Sequence, residues 1–471
     1  MRLALVEPPA EDLPRDPRWL SVLAGGVLVS CVVVPCLFTT RLAAVFVLPK
    51  LAALWTVLTL SLVVIAGGVI FSRTPPREAL RLLPVDIAVA LFLVLNVAAW
   101  SISTDRRQSL YGERLQYQGL FAVLLMVGFF YVARLSLADG RRLRLLASAI
   151  TIGATLVACY ALVQRTGLDP IWGGYLPMGR VFSSIGQPNA LAAYLVLAVP
   201  IGASLLIAGK LVRGAISLAL AAMILALALT LSRAGYLGFL VMLPILALGL
   251  RDPLRTSPKR LALGFAAMLC AALAIVALVQ PARTAMADSW RRATSSTDVG
   301  GDSSLRFHLD AWNVAARIAA DNPILGTGQE TFPDIFPRYS HVVLPPDRAA
   351  ALDAYRVESP HNVYLAIAAG AGFPALLAYL GIVAGFVAAV ASAARRASTR
   401  GLRLALVAML AASAGHLVTD AFMTADVTST WLFWVLMGAG LGVASSARVP
   451  GATWSRDSPG AAACPPSRMR V

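Results

Sequence analysis

The sequence predicts an all-α polytopic membrane protein with about 12 transmembrane helices and one large extracytoplasmic loop. Three observations carry this prediction. Of 471 residues, 58% are hydrophobic and only 14% charged, with a mean hydropathy of +0.74; a soluble domain is about 25% charged. Apolar runs of about 20 residues, enough to cross a bilayer, recur along the chain. Lysine and arginine, 40 against 24 acidic residues for a net charge of +16, are spread unevenly between those runs. A soluble enzyme, a disordered chain and a collagen-like chain are excluded. A disulfide scaffold is disfavoured, because Cys31, Cys36, Cys159 and Cys270 all lie inside apolar runs.

Residues 1–19 read as a tail; Glu7, Glu11, Asp12 and Asp16 deny it the apolar core of a cleavable signal peptide. Residues 20–280 hold spans at 20–38, 51–71, 82–100, 119–137, 145–164, 190–208, 214–231, 235–250 and 261–280. Residues 281–362 form the large loop. Residues 363–447 hold spans at 363–394, 404–421 and 428–447, and 448–471 form a second tail. The 363–394 run is too long for one straight helix. Gly370, Gly372 and Pro374 predict a short first piece, a break and a longer second piece.

Orientation follows from the loop cations. With the N-terminus in the cytoplasm, the short inside loops carry Arg73, Arg77, Arg81, Arg134, Arg141, Arg142, Arg144, Lys210, Arg213, Arg251, Arg255, Lys259, Arg260, Arg395, Arg396, Arg400 and Arg403. The short outside loops carry about half as many: Arg41, Lys50, Arg106, Arg107, Arg114, Arg165, Arg180 and Arg233. Both termini are therefore expected in the cytoplasm. The positive excess is chiefly topological, and no nucleic-acid partner is implied; the partner the composition demands is the lipid bilayer.

The large loop opens on a disorder-like stretch, Ser295 to Ser304. A helical pattern follows, with Leu305, Leu309, Trp312, Ala316 and Ala319 on one face and Arg306, Asp310, Asn313 and Arg317 on the other. It predicts an amphipathic helix lying on the outer membrane surface, stopped at Asp321-Asn322-Pro323. Gly326-Thr327-Gly328, a turn-rich aromatic segment through Tyr339, and Ser359-Pro360-His361-Asn362 complete the loop.

Polar residues gather on the outside at four places. They are Gly179-Arg180 with Gln187-Pro188-Asn189, Ser232-Arg233-Ala234-Gly235, Arg306 with its helix neighbours, and His361-Asn362. Ionisable groups at the membrane are functional candidates. Each also has a plainer reading. Arg233 can snorkel to lipid phosphates, Arg306 can pair with Asp310 four residues on, and Gln187-Pro188-Asn189 can simply open a helix. For His361, Ser359 is the expected cap and Pro360 the first helical residue. This puts His361 in a first turn whose dipole disfavours imidazolium and keeps the ring neutral. His308, on the apolar side of its helix, His341, in a loop, and His416, within a span, are weaker candidates. No Asp-x-Asp or Glu-x-Asp pair exists to hold a divalent ion, so arginines are the obvious diphosphate partners.

The segments GRVFSSIGQPNALAAYL, LTLSRAGYLG, RFHLDAWNVAARIAADNPILGTGQETF and SPHNVYLAIAAGAG, in that order, resemble the O-antigen ligase family. Its members include lipopolysaccharide O-antigen ligases, O-antigen polymerases and bacterial protein O-oligosaccharyltransferases. The resemblance covers roughly residues 100–445 and implies a C-type glycosyltransferase of the bacterial cytoplasmic (inner) membrane, working without metal or cofactor. The implied donor is an undecaprenyl-diphosphate-linked glycan; the implied acceptor is a glycolipid, glycan or protein bearing a hydroxyl on the outer side. By motif, Arg233 and Arg306 would hold the diphosphate and His361 would activate the acceptor hydroxyl. Arg180, Gln187, Asn189 and Asn362 would line the substrate cavity. Ala369-Gly370-Ala371-Gly372 departs from the pattern, lacking the acidic residue that many members carry near there. Ligase and polymerase share this chemistry and differ in acceptor, the Gln-Pro-Asn form leaning toward the ligase and protein-transferase branches. From another class, a flippase for an anionic lipid-linked substrate also fits twelve spans, although such transporters place their polar site near the midplane.

Overall fold

A computed structural model describes residues 18–71, 82–207, 210–251, 303–354 and 356–446. Among these residues the chain is helical throughout, with no strand. The first group of helices is α1 (Arg18–Val33), α2 (Leu48–Phe71), α3 (Pro84–Ser101), α4 (Arg106–Tyr111), α5 (Leu120–Ser136), α6 (Gly140–Thr166), α7 (Pro188–Ala203), α8 (Lys210–Leu229) and α9 (Arg233–Arg251). The second is α10 (Ser303–Asp321), α11 (Phe332–Val343), α12 (Pro346–Asp353), α13 (Val363–Arg396), α14 (Arg400–Asp420) and α15 (Val427–Ser446).

Among the described residues, nine helices are long and apolar enough to cross a membrane, and α5 and α9 are shorter apolar helices. Each falls on a span expected from hydropathy. The span at 261–280 lies outside the described residues, as do Arg73, Arg77, Arg81, Arg255, Lys259, Arg260, the 295–302 stretch and both tails.

A helix apolar on every side belongs in an interior. α7 and α15 are such helices and are buried almost along their whole length. α15 packs on α5, α14 on α9 and α7, α13 on α3, and α6 on α8 and α1. Glycine sets the closest approach: a Cβ at Gly438 or Gly442 of α15 would fall 2.1 Å from the carbonyl oxygen of Phe130 or 2.5 Å from that of Arg134 on α5. The outer helices leave Leu62, Ile70, Ile87, Leu218 and Leu240 exposed, an apolar belt that a bilayer covers.

The expected break is present, at Gly372, whose φ of 85° interrupts α13. The loop after α10 docks there. Thr327 N–H donates to Ala369 O (3.0 Å), Gly328 N–H to Gly370 O (2.9 Å) and Phe373 N–H to Pro323 O (2.9 Å). A Cβ at Gly372 would lie 2.2 Å from Ile324 O. The Ala369-Gly370-Ala371-Gly372 segment is thus small so that a loop can lie against it.

Arg134 at the end of α5 is buried in an ion pair with Asp86 of α3 rather than lying free in a loop. Asp86 also accepts from Tyr131 O–H (3.1 Å) and Leu83 N–H (2.6 Å). Removing one partner of a buried pair costs about 3–5 kcal/mol. Asp86→Ala is therefore expected to lower the thermal unfolding midpoint clearly, read by a thermal-shift scan of the detergent-solubilised protein; an unchanged midpoint would contradict this.

Several expectations for the large loop need correction. The helix exists, but its buried face is Asp310, Ala311, Val314, Ala315, Ile318 and Ala319, while Leu309 and Ala316 are exposed. The face is rotated because α10 packs on α11 and α13 in a second core with Phe332, Phe336, Ala349 and Ala368. Asp310 bonds Arg348 of α12. The turn-rich aromatic segment is the helix α11, with Pro333 in its first turn where no N–H is needed, and His341 sits on that helix, bonded to Asp353 (2.8 Å). Ser303 and Ser304, expected in the disorder-like stretch, begin α10.

Candidate functional site

The sequence-predicted polar residues lie at one end of the bundle, in two groups joined by the short loop between α14 and α15. The first group forms where α7 and α9 begin. Arg180, just ahead of α7, donates from Nε to Thr230 O (2.7 Å) and from Nη2 to Asn189 Oδ1 (2.5 Å). Val181 N–H donates to Leu229 O (3.3 Å), tying the Gly179-Arg180 segment to the turn that carries Arg233. That turn is closed by Ser232, whose Oγ accepts from Gly235 N–H (3.2 Å). Arg233 is exposed in the first turn of α9. A cation there runs against the helix dipole, and the same turn presents N–H groups suited to an anion. Asn189 is therefore a partner of Arg180, while Gln187 is the exposed residue preceding Pro188 at the start of α7.

The second group surrounds His361. The helix α13 starts at Val363, and its cap is Asn362, whose Oδ1 accepts from Leu365 N–H (3.0 Å). The expectation that Ser359 caps and His361 opens the helix is thus corrected: His361 precedes the helix at a φ of 49°. Its N–H donates to Ser359 Oγ (3.2 Å). Ser359 Oγ also bonds Thr424 Oγ1 (2.5 Å), which bonds His361 Nδ1 (3.3 Å). If Nδ1–H donates to Thr424, and the Thr424 hydroxyl to Ser359, Nε2 is left bare and able to take a proton.

The ring of His308 stands at 5.4 Å from that of His361, edge to face, and Phe307 at 5.6 Å. Arg306 lies in the same turn of α10, exposed. The neutral state expected for His361 has another cause than the helix dipole. Burial first, and then the charge of His308, push its pKa down to about 4. His308 was set aside on sequence because a histidine on an apolar face is ordinarily core; only the packing of α10 over His361 reveals it.

The joining loop, 421–426, left no signal in hydropathy. Phe422 meets Trp312 of α10 (5.7 Å between rings), Thr424 holds His361, and Asp426 caps α15 through Thr428 N–H (2.8 Å) and Ser429 N–H (3.2 Å). Lys50, counted on sequence only as a loop cation, is fully buried and donates to Phe46 O (2.8 Å) and Ser184 O (2.7 Å). It pins the segment between Arg180 and α7 to the start of α2.

Beneath His361 a cavity with about 1150 Å³ of empty space, its open mouth included, runs down between α3, α5, α13 and α15. Arg306, at the start of α10, His361, at the start of α13, and Arg233, at the start of α9, all fall within residues 218–380, which match the model of a family described as O-antigen ligase. That region, about a third of the chain, is similar to the O-antigen ligase family. The matched region ends in α13 beyond its break, and Arg180, Gln187 and Asn189 precede it. No curated protein matches the chain. The long apolar helices and the matched region together indicate a multi-pass membrane protein with a region similar to O-antigen ligases.

Proposed function

We propose that the chain is a metal-independent glycosyltransferase. It moves a glycan from an undecaprenyl-diphosphate carrier to an acceptor hydroxyl on the outer side of the cytoplasmic membrane. The observation that carries this reading is a half-buried histidine, tethered at Nδ1 by Thr424 and overlaid by the arginine-bearing turn of α10. Arg233 and Arg306 bind the diphosphate, Arg180 and Asn189 brace the turn beside Arg233, and Gln187 and Asn362 flank the site. His361 Nε2 takes the proton of the acceptor hydroxyl as its oxygen attacks the anomeric carbon. The bond from that carbon to the diphosphate oxygen breaks, and the electron pair leaves with the lipid diphosphate. Arginine stabilises the charge that develops there, and single displacement inverts the anomeric centre. The excess of cations in the alternate short loops supports both termini in the cytoplasm and the site outside.

The test is purified protein in proteoliposomes, given a labelled lipid-diphosphate glycan and a hydroxyl acceptor in the presence of a chelator. Formation of an inverted glycosidic bond with release of lipid diphosphate is expected. Movement of the labelled lipid across the bilayer without transfer would overturn the reading in favour of a flippase.

Thr424 is a positioning residue in this scheme. Losing a hydrogen bond of about 1.4 kcal/mol corresponds to roughly tenfold in rate. Thr424→Val should therefore transfer about tenfold more slowly, and Thr424→Ser, which keeps the hydroxyl, should recover most of the rate. Equal rates in the two variants would remove Thr424 from the mechanism.

A further inference from the structure

The cavity under His361 has a chemistry unlike that of the arginine side. Its lining includes the acidic residues Glu330, Glu358 and Asp420 and, among the described residues, neither lysine nor arginine. The nearby Arg356 is engaged with Glu113 (3.2 Å) and Asp334 (3.3 Å). Phe92, Tyr379 and Trp434 form an aromatic floor, with Phe92 6.0 Å from Tyr379 and 6.1 Å from Trp434 between ring centroids. The amides of Asn96 and Gln329 are already paired (2.7 Å), and Ser109 O–H donates to Gln329 (2.8 Å). Glu330 accepts from Glu113 N–H (3.4 Å), Glu358 from Gln116 Nε2 (3.0 Å), and Asp420 lies 3.5 Å from His416 Nε2, so these three carboxyl groups are the acidic side chains of the lining.

A diphosphate placed here would meet like charge in a region of low dielectric. A sugar ring suits it: hydroxyl or ammonium hydrogens can bond the carboxylates, and the apolar face of the ring can lie on the aromatic floor. We propose that this cavity is the acceptor subsite, and that it admits a saccharide end free of phosphate and carboxylate, with amino sugars preferred. Its assignment to the acceptor rests on the transfer reading above. Glu330 adds a second property. Burial, with Glu113 and Glu358 nearby, lifts its carboxyl to about 7 against the lowering effect of the Glu113 N–H, so near neutrality it can both donate to and accept from sugar hydroxyls.

The experiment uses the full chain in lipid nanodiscs and three trisaccharides: deacetylated chitotriose, its N-acetylated form and trigalacturonate. Direct binding is expected to be tightest for the amino form and at least tenfold weaker for trigalacturonate. Glu330→Gln with Glu358→Gln should bring the amino and anionic forms within about threefold of each other. Glu358 is exposed, so Glu358→Lys, which puts no folded core at risk, should favour trigalacturonate. Trigalacturonate binding as tightly as the amino form, an unchanged ranking in the variants, or no binding of any trisaccharide would overturn the proposal. Glycan transfer from the lipid diphosphate is measured on the same preparations. Transfer without the ranking overturns the cavity proposal alone. Ranking without transfer overturns the transfer reading, and with it the cavity's role as acceptor side.

Discussion

His361→Ala is expected to lose roughly 10²–10⁴-fold in transfer rate, the usual contribution of a positioned general base. The protein should still fold, because α13 is capped by Asn362 and not by the histidine. The pH dependence follows from the charges around the ring. In the free protein the His361 pKa is about 4, held down by burial and by His308. A diphosphate held at the arginine turns brings negative charge toward the ring and favours imidazolium, so the pKa must rise. The acid limb of kcat/KM, which reports the free protein, should therefore fall near pH 4, and that of kcat at a higher pH. Coincident limbs would mean that His361 does not titrate beside the diphosphate. A histidine this easily deprotonated is a weak base until the donor arrives, so proton transfer is coupled to donor binding.

The second large effect concerns the arginines. Arg306→Ala and Arg233→Ala should each cost about 10²–10³ in transfer, the size measured for removing one group that stabilises developing charge. Lysine should restore little, because it offers a point charge where a guanidinium offers a fork matched to phosphate oxygens. Donor affinity should fall with the rate, since these groups meet the diphosphate before and during reaction. Wild-type transfer in both alanine variants would remove the diphosphate site from the arginine turns.

Much of this was legible in the chain itself. Each long apolar run among the described residues became a helix, because hydropathy measures directly what a bilayer demands. The break in α13 was legible too, since glycine and proline act locally. What escaped sequence reading depends on contacts between distant segments. The rotation of α10 requires knowing that Phe332, Phe336 and Ala368 cover it. The rejection of His308 required not knowing that His361 stands beside it. Lys50 and Thr424 are unremarkable in sequence, and become part of the site only when Lys50 bonds Ser184 O ahead of α7 and the 421–426 loop brings Thr424 to His361. Arg180, Asn189 and the Arg233 turn were suspected separately, and one pair of hydrogen bonds from Arg180 unites them.

The division of labour between histidine and arginine is most directly tested by measuring donor binding and glycan transfer on one preparation of His361→Ala. A base that does not hold the donor predicts affinity for the lipid diphosphate within about threefold of the wild type, with transfer reduced roughly 10²-fold or more. Transfer at the wild-type rate would contradict it.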